Sequence, residues 1–419
     1  FFTAYIAPGL VRSHILSPTT HGFFGMTGIA SFVAAMFSGL FIGTALFGFV
    51  ADRLGRKTVF TFSLLWYTAA TVIMAFQQQV FGLNLWRFIA GIGVGVELVT
   101  IDAYISELVP GAIRGRAFAL NQTIQFCAVP FVALLAWRLV PLTPLGLDGW
   151  RWVALVGAAS AIFVWWIRRR VPESPRWLAQ HGRLREAERV LESLENQAAA
   201  ESGSGLESPA RTAEQPVTGS FREIWCAPYL RRTLMLTVFN IFQTVGFYGF
   251  SNWVPSLLIQ RGIEITSSLE YTFLIALAAP FGPLVAASIA DKFQRKWQIV
   301  LAAFAVGASG LLFARMTFAP GLIAFGVLVT LANNILSFSF HAYQAELYPT
   351  RVRARAIGFV YSWSRLSVVF SSFVIGFFLD RFGVSGVFGL IAGSMLVVML
   401  AIGVFGPRTN QLALEAISQ

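Results

Sequence analysis

The sequence predicts an all-α polytopic membrane protein of two pseudo-symmetric six-helix bundles, twelve transmembrane helices with the first incomplete in this chain. Three observations carry that prediction. Apolar runs of about 20 residues, the length that spans the ~30 Å hydrocarbon core as a helix, recur from end to end. Of the 419 residues, 56% are hydrophobic and 12% charged, with mean hydropathy +0.68. The basic residues are also patterned. Of the 31 Lys and Arg, 23 fall in 51–57, 107–117, 167–232, 291–297, 347–355 and the tail, alternating with nearly uncharged stretches. This is the positive-inside pattern, so those segments are expected on the cytoplasmic side. The third observation is a repeat. The turn from Gly48 through Asp52, Arg53, Gly55, Arg56 and Lys57 returns as Asp291, Lys292, Arg295 and Lys296, with Asp52 and Asp291 239 positions apart. Glu107-Leu108-Val109-Pro110 with Arg114 and Arg116 returns at the same offset as Glu346-Leu347-Tyr348-Pro349 with Arg353 and Arg355. Two motifs at one offset mark a duplicated chain, and function is then expected between the halves.

In order, spans are expected at 1–12 (partial), 28–50, 58–77, 83–106, 116–139, 150–169, 232–258, 271–290, 298–316, 319–345, 355–379 and 385–406. The domains are accordingly 1–170, an N-terminal six-helix bundle; 171–231, a cytoplasmic linker with short helices; 232–406, a C-terminal six-helix bundle; and 407–419, a cytoplasmic tail. Within the linker, 183–197 is charged and helix-prone, 198–220 reads as flexible on its Ala, Ser, Gly, Glu and Pro content, and 221–232 is a basic, aromatic segment expected to form an interfacial helix. The opening stretch, Phe1 to Leu10, is too short for a full span, and residues are expected before Phe1. Cys127 and Cys226 fall in a span and a cytoplasmic stretch, so no disulfide is expected. The net charge of +11 follows the membrane pattern and calls for no nucleic acid. Gly91, Gly93 and Gly95 lack the strand that a dinucleotide fold requires, and are read as helix packing.

Ionised groups inside a bilayer cost several kcal/mol, so each asks for a partner or a task. Span four carries Arg87, Glu97 and Asp102. At 100° per residue, Glu97 lies about 80° to one side of Arg87 and Asp102 about 60° to the other, so all three can face one aqueous cavity. Either Arg87 and a carboxylate form a static pair, or a cavity carboxylate gains and loses a proton. Span eleven carries Tyr361 and Arg365 at i, i+4. A guanidinium at mid-membrane can hold a carboxylate through two parallel hydrogen bonds, or pair with an acid of another helix. Asn334 and His341 in span ten, Asn240, Gln243, Tyr248 and Trp253 in span seven, and Asn121 and Gln125 in span five complete the candidate lining. Each amide is equally readable as interhelical packing. No metal-ligand spacing and no nucleophile–base set is present, so neither an enzyme nor a cofactor is expected.

The turn at 48–57 resembles the Gly-x-x-x-Asp-Arg-x-Gly-Arg-Lys signature of the major facilitator superfamily. Pro172-Glu173-Ser174-Pro175-Arg176 resembles a motif of its sugar-porter-like branch, as does Arg87 with Gly91, Gly93 and Gly95. The resemblance implies two six-helix bundles, alternating access and a central substrate cavity. Where sugar porters carry a Gln-Gln pair and an Asn in span seven, this chain reads Phe242-Gln243 and Tyr248, and their span-ten tryptophan falls at His341. Gly95-Val96-Glu97-Leu98, Glu346-Leu347-Tyr348-Pro349 and Arg365 are similar to the organic ion transporter and synaptic vesicle protein 2-related branch, which includes bacterial niacin and aromatic-acid transporters. In that branch an arginine on span eleven serves anionic substrates.

The resemblance therefore implies a secondary transporter, with proton-coupled uptake of a small aromatic carboxylate such as nicotinate. Arg365, Tyr361, Gln243, Asn240, Tyr248, Trp253, Asn334, His341, Gln125 and Asn121 would bind substrate, and Glu97, Asp102 and Arg87 would couple protons. The gate would comprise Asp52, Arg53, Arg56, Glu107, Arg114, Arg116, Asp291, Arg295, Glu346, Arg353 and Arg355. An exporter of drugs or metabolites and a sensor that binds without transport are the alternatives. The expected partners are the organic anion, protons and the lipid bilayer, for a monomer multi-pass in a bacterial cytoplasmic (inner) membrane, with loops 51–57 and 171–231 cytoplasmic.

Overall fold

A computed structural model of the chain describes residues 2–17, 28–108, 114–170, 172–202, 220–289, 293–348 and 350–409. The helices of the first half are α1 (Phe2–Arg12), α2 (Gly28–Leu54), α3 (Arg56–Ala75), α4 (Val80–Leu108), α5 (Arg114–Leu139) and α6 (Gly149–Arg170). Two short helices follow, α7 (Pro175–Gln180) and α8 (Leu184–Ser202). After a 3₁₀ turn at Phe221–Trp225 come α9 (Tyr229–Ser251), α10 (Val254–Gln260), α11 (Ile265–Ala276), α12 (Phe281–Ile289), α13 (Arg295–Arg315), α14 (Ala319–Glu346) and α15 (Thr350–Phe405). The 56 residues of α15 are broken at Gly383, whose φ of 63° and ψ of −162° lie outside the helical region that side chains with a Cβ favour. Two membrane-crossing arms thus follow each other without a loop. Counting α9 with α10, α11 with α12 and the two arms of α15, the described residues hold eleven helical segments of crossing length beside the shorter α1. Eight helical stretches among them are long and apolar enough to span a bilayer by length and composition alone.

Two expected spans are not continuous. Span seven breaks at Asn252 and Trp253, because Pro255 lacks an N–H and fits only the first turn of a new helix, here that of α10. Span eight begins earlier than expected, at Ile265, and breaks at Leu277–Pro280 before α12. Proline disfavours helical backbone at the residue before it. The carbonyl of Ala279 accepts instead from Asn334 Nδ2 at 2.9 Å. The expected interfacial helix at 221–232 is a 3₁₀ turn capped by Ser220 and Glu223, after which α9 starts at Tyr229.

The spacing of glycines in α4 sets the tightest packing. A methyl group at Gly91 would press into the carbonyl of Met36, and one at Gly95 into that of Leu40, both on α2. Their absence lets α2 and α4 approach backbone to backbone, the small-residue packing that replaces hydrophobic drive inside a bilayer. Across the halves, Trp137 of α5 stacks on Phe273 of α11, with centroids 5.7 Å apart and planes at 18°. Val33 and Phe37 of α2 pack with Val368 of α15, and Phe37 meets Tyr248 edge-on at 4.7 Å.

At the end away from the basic turns, three arginines cap helix C-termini, where unsatisfied carbonyls and the helix dipole favour a cation. Arg12 donates to Pro141 O just beyond α5. Arg151 donates to Ala75 O and Gln77 O at the end of α3, at 2.5 and 3.1 Å. Arg261 donates to the carbonyls of Phe313, Ala314 and Met316 at the end of α13.

Candidate substrate site and gate

The centre of the site is Arg365, on the first arm of α15 and only 8% exposed. Its Nη1 donates to Tyr248 Oη of α9 at 2.9 Å and its Nη2 to Tyr361 Oη at 2.8 Å. The guanidinium carbon also lies 4.8 Å from the Tyr361 ring centroid, within cation–π range. His341 of α14 meets the same Tyr361 ring edge-on at 5.4 Å, and is itself exposed. Its Nδ1 lies 2.7 Å from Ser337 O. A carbonyl can only accept, so Nδ1 carries a proton and Nε2 is turned away from that bond. Four side chains from three helices thus converge: one fixed cation, two phenols and an imidazole.

The amides behave differently. Asn240 is fully buried and spends Nδ2 on Leu236 O of its own helix, at 2.8 Å. Asn334 is 3% exposed and serves the break in span eight through Ala279 O. Trp253 is 1% exposed, packed where α10 begins, rather than lining open space. Gln243 is 9% exposed on α9. Asn121 and Gln125 are half-buried on α5, in the other half.

Among the described residues Arg87 bonds to α1 and not to a carboxylate. This residue is 1% exposed and donates through Nη2 to Thr3 Oγ1 of α1. Phe2 and Phe32 lie 4.4 and 5.2 Å from its guanidinium carbon. Nε and Nη1 have no hydrogen-bond partner among the described residues. Glu97 is ten residues on, about 15 Å along the axis at 1.5 Å per residue, and half-buried. The wheel angle that put both on one face ignored that rise. The side chain of Asp102 lies outside the described residues.

At the basic end, one pair expected in the gate meets directly: Arg295, the first residue of α13, donates from Nη1 to Glu346 Oε1 at the last residue of α14. Around it, Gln298 reaches Ile289 O and Phe293 O, and Ser339 donates to Gln298 Oε1. In the first half the observed anchor is Glu173, a residue quoted in a motif but given no task. Its Oε1 accepts from the backbone N–H of Arg56 at 3.0 Å, Lys57 at 3.2 Å and Ser174 at 3.0 Å. A carboxylate here caps the N-terminus of α3, where the orphan N–H groups and dipole favour an anion. Gly55 has φ 93°, and a Cβ on it would lie 2.5 Å from Glu173 Oε2. Only glycine suits that turn. Tyr104 Oη donates to Pro172 O beside it, at 2.5 Å. The side chains of Asp52, Arg53, Glu107, Arg114, Arg116, Arg353 and Arg355, and the whole of Asp291, lie outside the described residues.

Two bundles of membrane-length helices, with Arg365 buried beside the contacts between them and the Arg295–Glu346 pair at the basic end, are the architecture of a membrane transporter. The comparisons with known proteins agree. Residues 25–419 match the family described as "Sugar (and other) transporter", and the chain belongs to it. It is 32% identical to the putative metabolite transport protein YyaJ of Bacillus subtilis (strain 168), over 98% of this chain and 89% of that one. It is 29% identical to the niacin transporter NiaP of Acinetobacter baylyi, over 99% and 91%. In fold it is similar to a partially occluded inward open conformation of the xylose transporter XylE from E. coli. That likeness has a TM-score of 0.77 and 21% identity, over 99% of this chain and 95% of the other. The major facilitator fold implied by the motifs is therefore the fold of this chain.

Proposed function

We propose that this protein is a proton-coupled importer of a small aromatic carboxylate, with nicotinate the substrate to try first. The observation that carries the reading is Arg365, a permanent cation buried at 8% exposure and held by two phenols. Two parallel N–H groups match the two oxygens of a carboxylate, and a charged acceptor binds a guanidinium more strongly than the neutral hydroxyls of a sugar do. Tyr361, Tyr248 and His341 supply ring faces and edges for a planar substrate. The niacin transporter of Acinetobacter baylyi, similar along nearly the whole chain, is consistent with that chemistry. Glu97 or Asp102 takes the proton, with Arg87 as a structural cation against α1. The basic end is cytoplasmic in a bacterial inner membrane, and the 51–57 and 291–297 turns latch that end shut in alternation with the other. The chain works as a monomer.

The test is uptake of labelled nicotinate into proteoliposomes under an inward proton gradient, beside labelled xylose. Losing a bidentate carboxylate contact costs about 3–5 kcal/mol, so Arg365→Ala should reduce uptake at low substrate at least 100-fold. Robust nicotinate uptake by the variant, or uptake of xylose and no nicotinate by the wild type, overturns the reading.

A further inference from the structure

We propose that the basic end of the C-terminal half carries a binding site for one anionic phospholipid. Its phosphate sits among Arg231, Lys296 and Arg408, and its acyl chains lie along α13 and the second arm of α15. The three cations are far apart in the chain and are brought together by separate devices. Lys296, in the first turn of α13, donates from Nζ to Gly406 O at 2.9 Å, and Tyr343 of α14 donates from Oη to Pro407 O at 2.9 Å. Those two bonds fix the chain that leaves α15, and with it the place of Arg408. Arg231, in the first turn of α9, holds its guanidinium carbon 5.3 Å from the ring centroid of Phe405 at the end of α15. The charges of Arg408 and Arg231 both act on the Lys296 ammonium, and no carboxylate joins them there. Among the described residues none of the three forms an ion pair. Arg231 and Arg408 are exposed.

Like charges gathered without a counter-charge repel one another, and an anion among them offsets that repulsion and accepts charge-assisted hydrogen bonds. The surroundings choose which anion. Trp297, Leu301 and Phe304 recur at i, i+4 and i+7 on α13, and all three are exposed. Leu396, Leu400 and Val404 recur at i, i+4 and i+8 on the second arm of α15, exposed as well. The two helices run side by side there, since a Cβ on Gly403 would lie 3.7 Å from Val300 Cγ2. Two apolar ridges therefore lead from the cations into the bilayer. Trp297 marks the boundary: Lys296 Nζ lies 5.5 Å from its ring centroid, and tryptophan at headgroup depth is a common interfacial anchor. A free phosphate would use the cations alone, whereas a phospholipid uses the cations and the ridges together.

The test places the whole chain in phosphatidylcholine vesicles and adds phosphatidylglycerol brominated on its acyl chains, which quenches the indoles it touches. Brominated phosphatidylcholine is the neutral reference. The Trp297 signal is the difference between each protein and its Trp297→Phe counterpart. Half-maximal quenching should need about tenfold less brominated phosphatidylglycerol than brominated phosphatidylcholine. In Arg231→Gln/Lys296→Gln/Arg408→Gln that preference should fall to about twofold or less. Arg183→Gln/Arg185→Gln/Arg189→Gln makes the same charge change at exposed positions of α8 and should retain it. Equal quenching by both lipids, a preference that survives in the site variant, or one lost in both variants overturns the proposal. Loss of the preference to inorganic phosphate, and not to chloride at the same ionic strength, assigns the cations to a free anion and also overturns it. Should the site variant fold poorly, Arg408→Gln, at an exposed position, enters alone, with an expected loss of about fivefold.

Discussion

Replacing Glu346 by glutamine removes one charge of the ion pair that joins the start of α13 to the end of α14. The side chains of Arg295 and Glu346 are 19% and 23% exposed, so the pair sits between two limits. At 4 Å two unit charges attract by about 4 kcal/mol in a partly buried setting and about 1 kcal/mol in water, which brackets this pair near 2 kcal/mol. Arg295 Nε and Glu346 Oε2 have no hydrogen-bond partner among the described residues, so the bond is single-pronged and little else compensates its loss. Glu346→Gln and Arg295→Gln should each lower the melting temperature by about 4 °C, at roughly 2 °C per kcal/mol. The double variant should lose about 4–5 °C rather than 8 °C, because the second substitution removes a charge that has already lost its partner. The assay is thermal melting of the purified protein in detergent, with vesicle uptake recorded for all four forms. Additive losses, with coupling under about 0.3 kcal/mol, would refute the claim that these two residues act on one another.

Two further outcomes follow from the geometry. Glu173→Gln keeps an oxygen for one N–H but loses the anion at the start of α3, and should cost about 1–2 kcal/mol, seen as lower melting and slower uptake with unchanged apparent substrate affinity. Gly91→Leu drives a side chain into the Met36 carbonyl, so α2 and α4 must separate; expression of folded, monodisperse protein should collapse, whereas Gly157→Leu, where a Cβ meets nothing within 4 Å, should be tolerated.

How legible this molecule was depended on the range over which each signal acts. Span length and the charge of the turns are local, and they sufficed for the helices and for the fold. The glycines of α4 were equally plain, since close packing against a neighbour is the main reason to repeat them in an apolar helix. The breaks in spans seven and eight were missed although Pro255 and Pro280 were in view, because hydropathy is continuous across them. Arg87, Glu97 and Asp102 were placed toward one cavity on an angular argument, and about 15 Å of helix axis separates Arg87 from Glu97. The amide of Asn334 was read as a ligand, but it serves the carbonyl of Ala279 on a different span, whose helical donor four residues on would be Pro283, which has no N–H. Glu173 caps a helix that begins 117 positions earlier, and no short pattern announces such a partner. Arg365, Tyr361 and Tyr248 were each named from sequence, where a permanent charge in an apolar run stands out, and the structure brings the three into contact.

The seam between the halves is laid down, among the contacts described above, by rings and branched aliphatics: Trp137 on Phe273, Phe37 on Tyr248, Val33 beside Val368. Such contacts are attractive over a broad range of angles and involve no hydrogen bond across the seam, so they constrain the angle between the halves only loosely. In mechanical terms the seam is a bearing and not a latch. An engineer wishing to arrest this carrier in one state should add a hydrogen-bonded pair across that surface, because a larger hydrophobic would only resize the bearing.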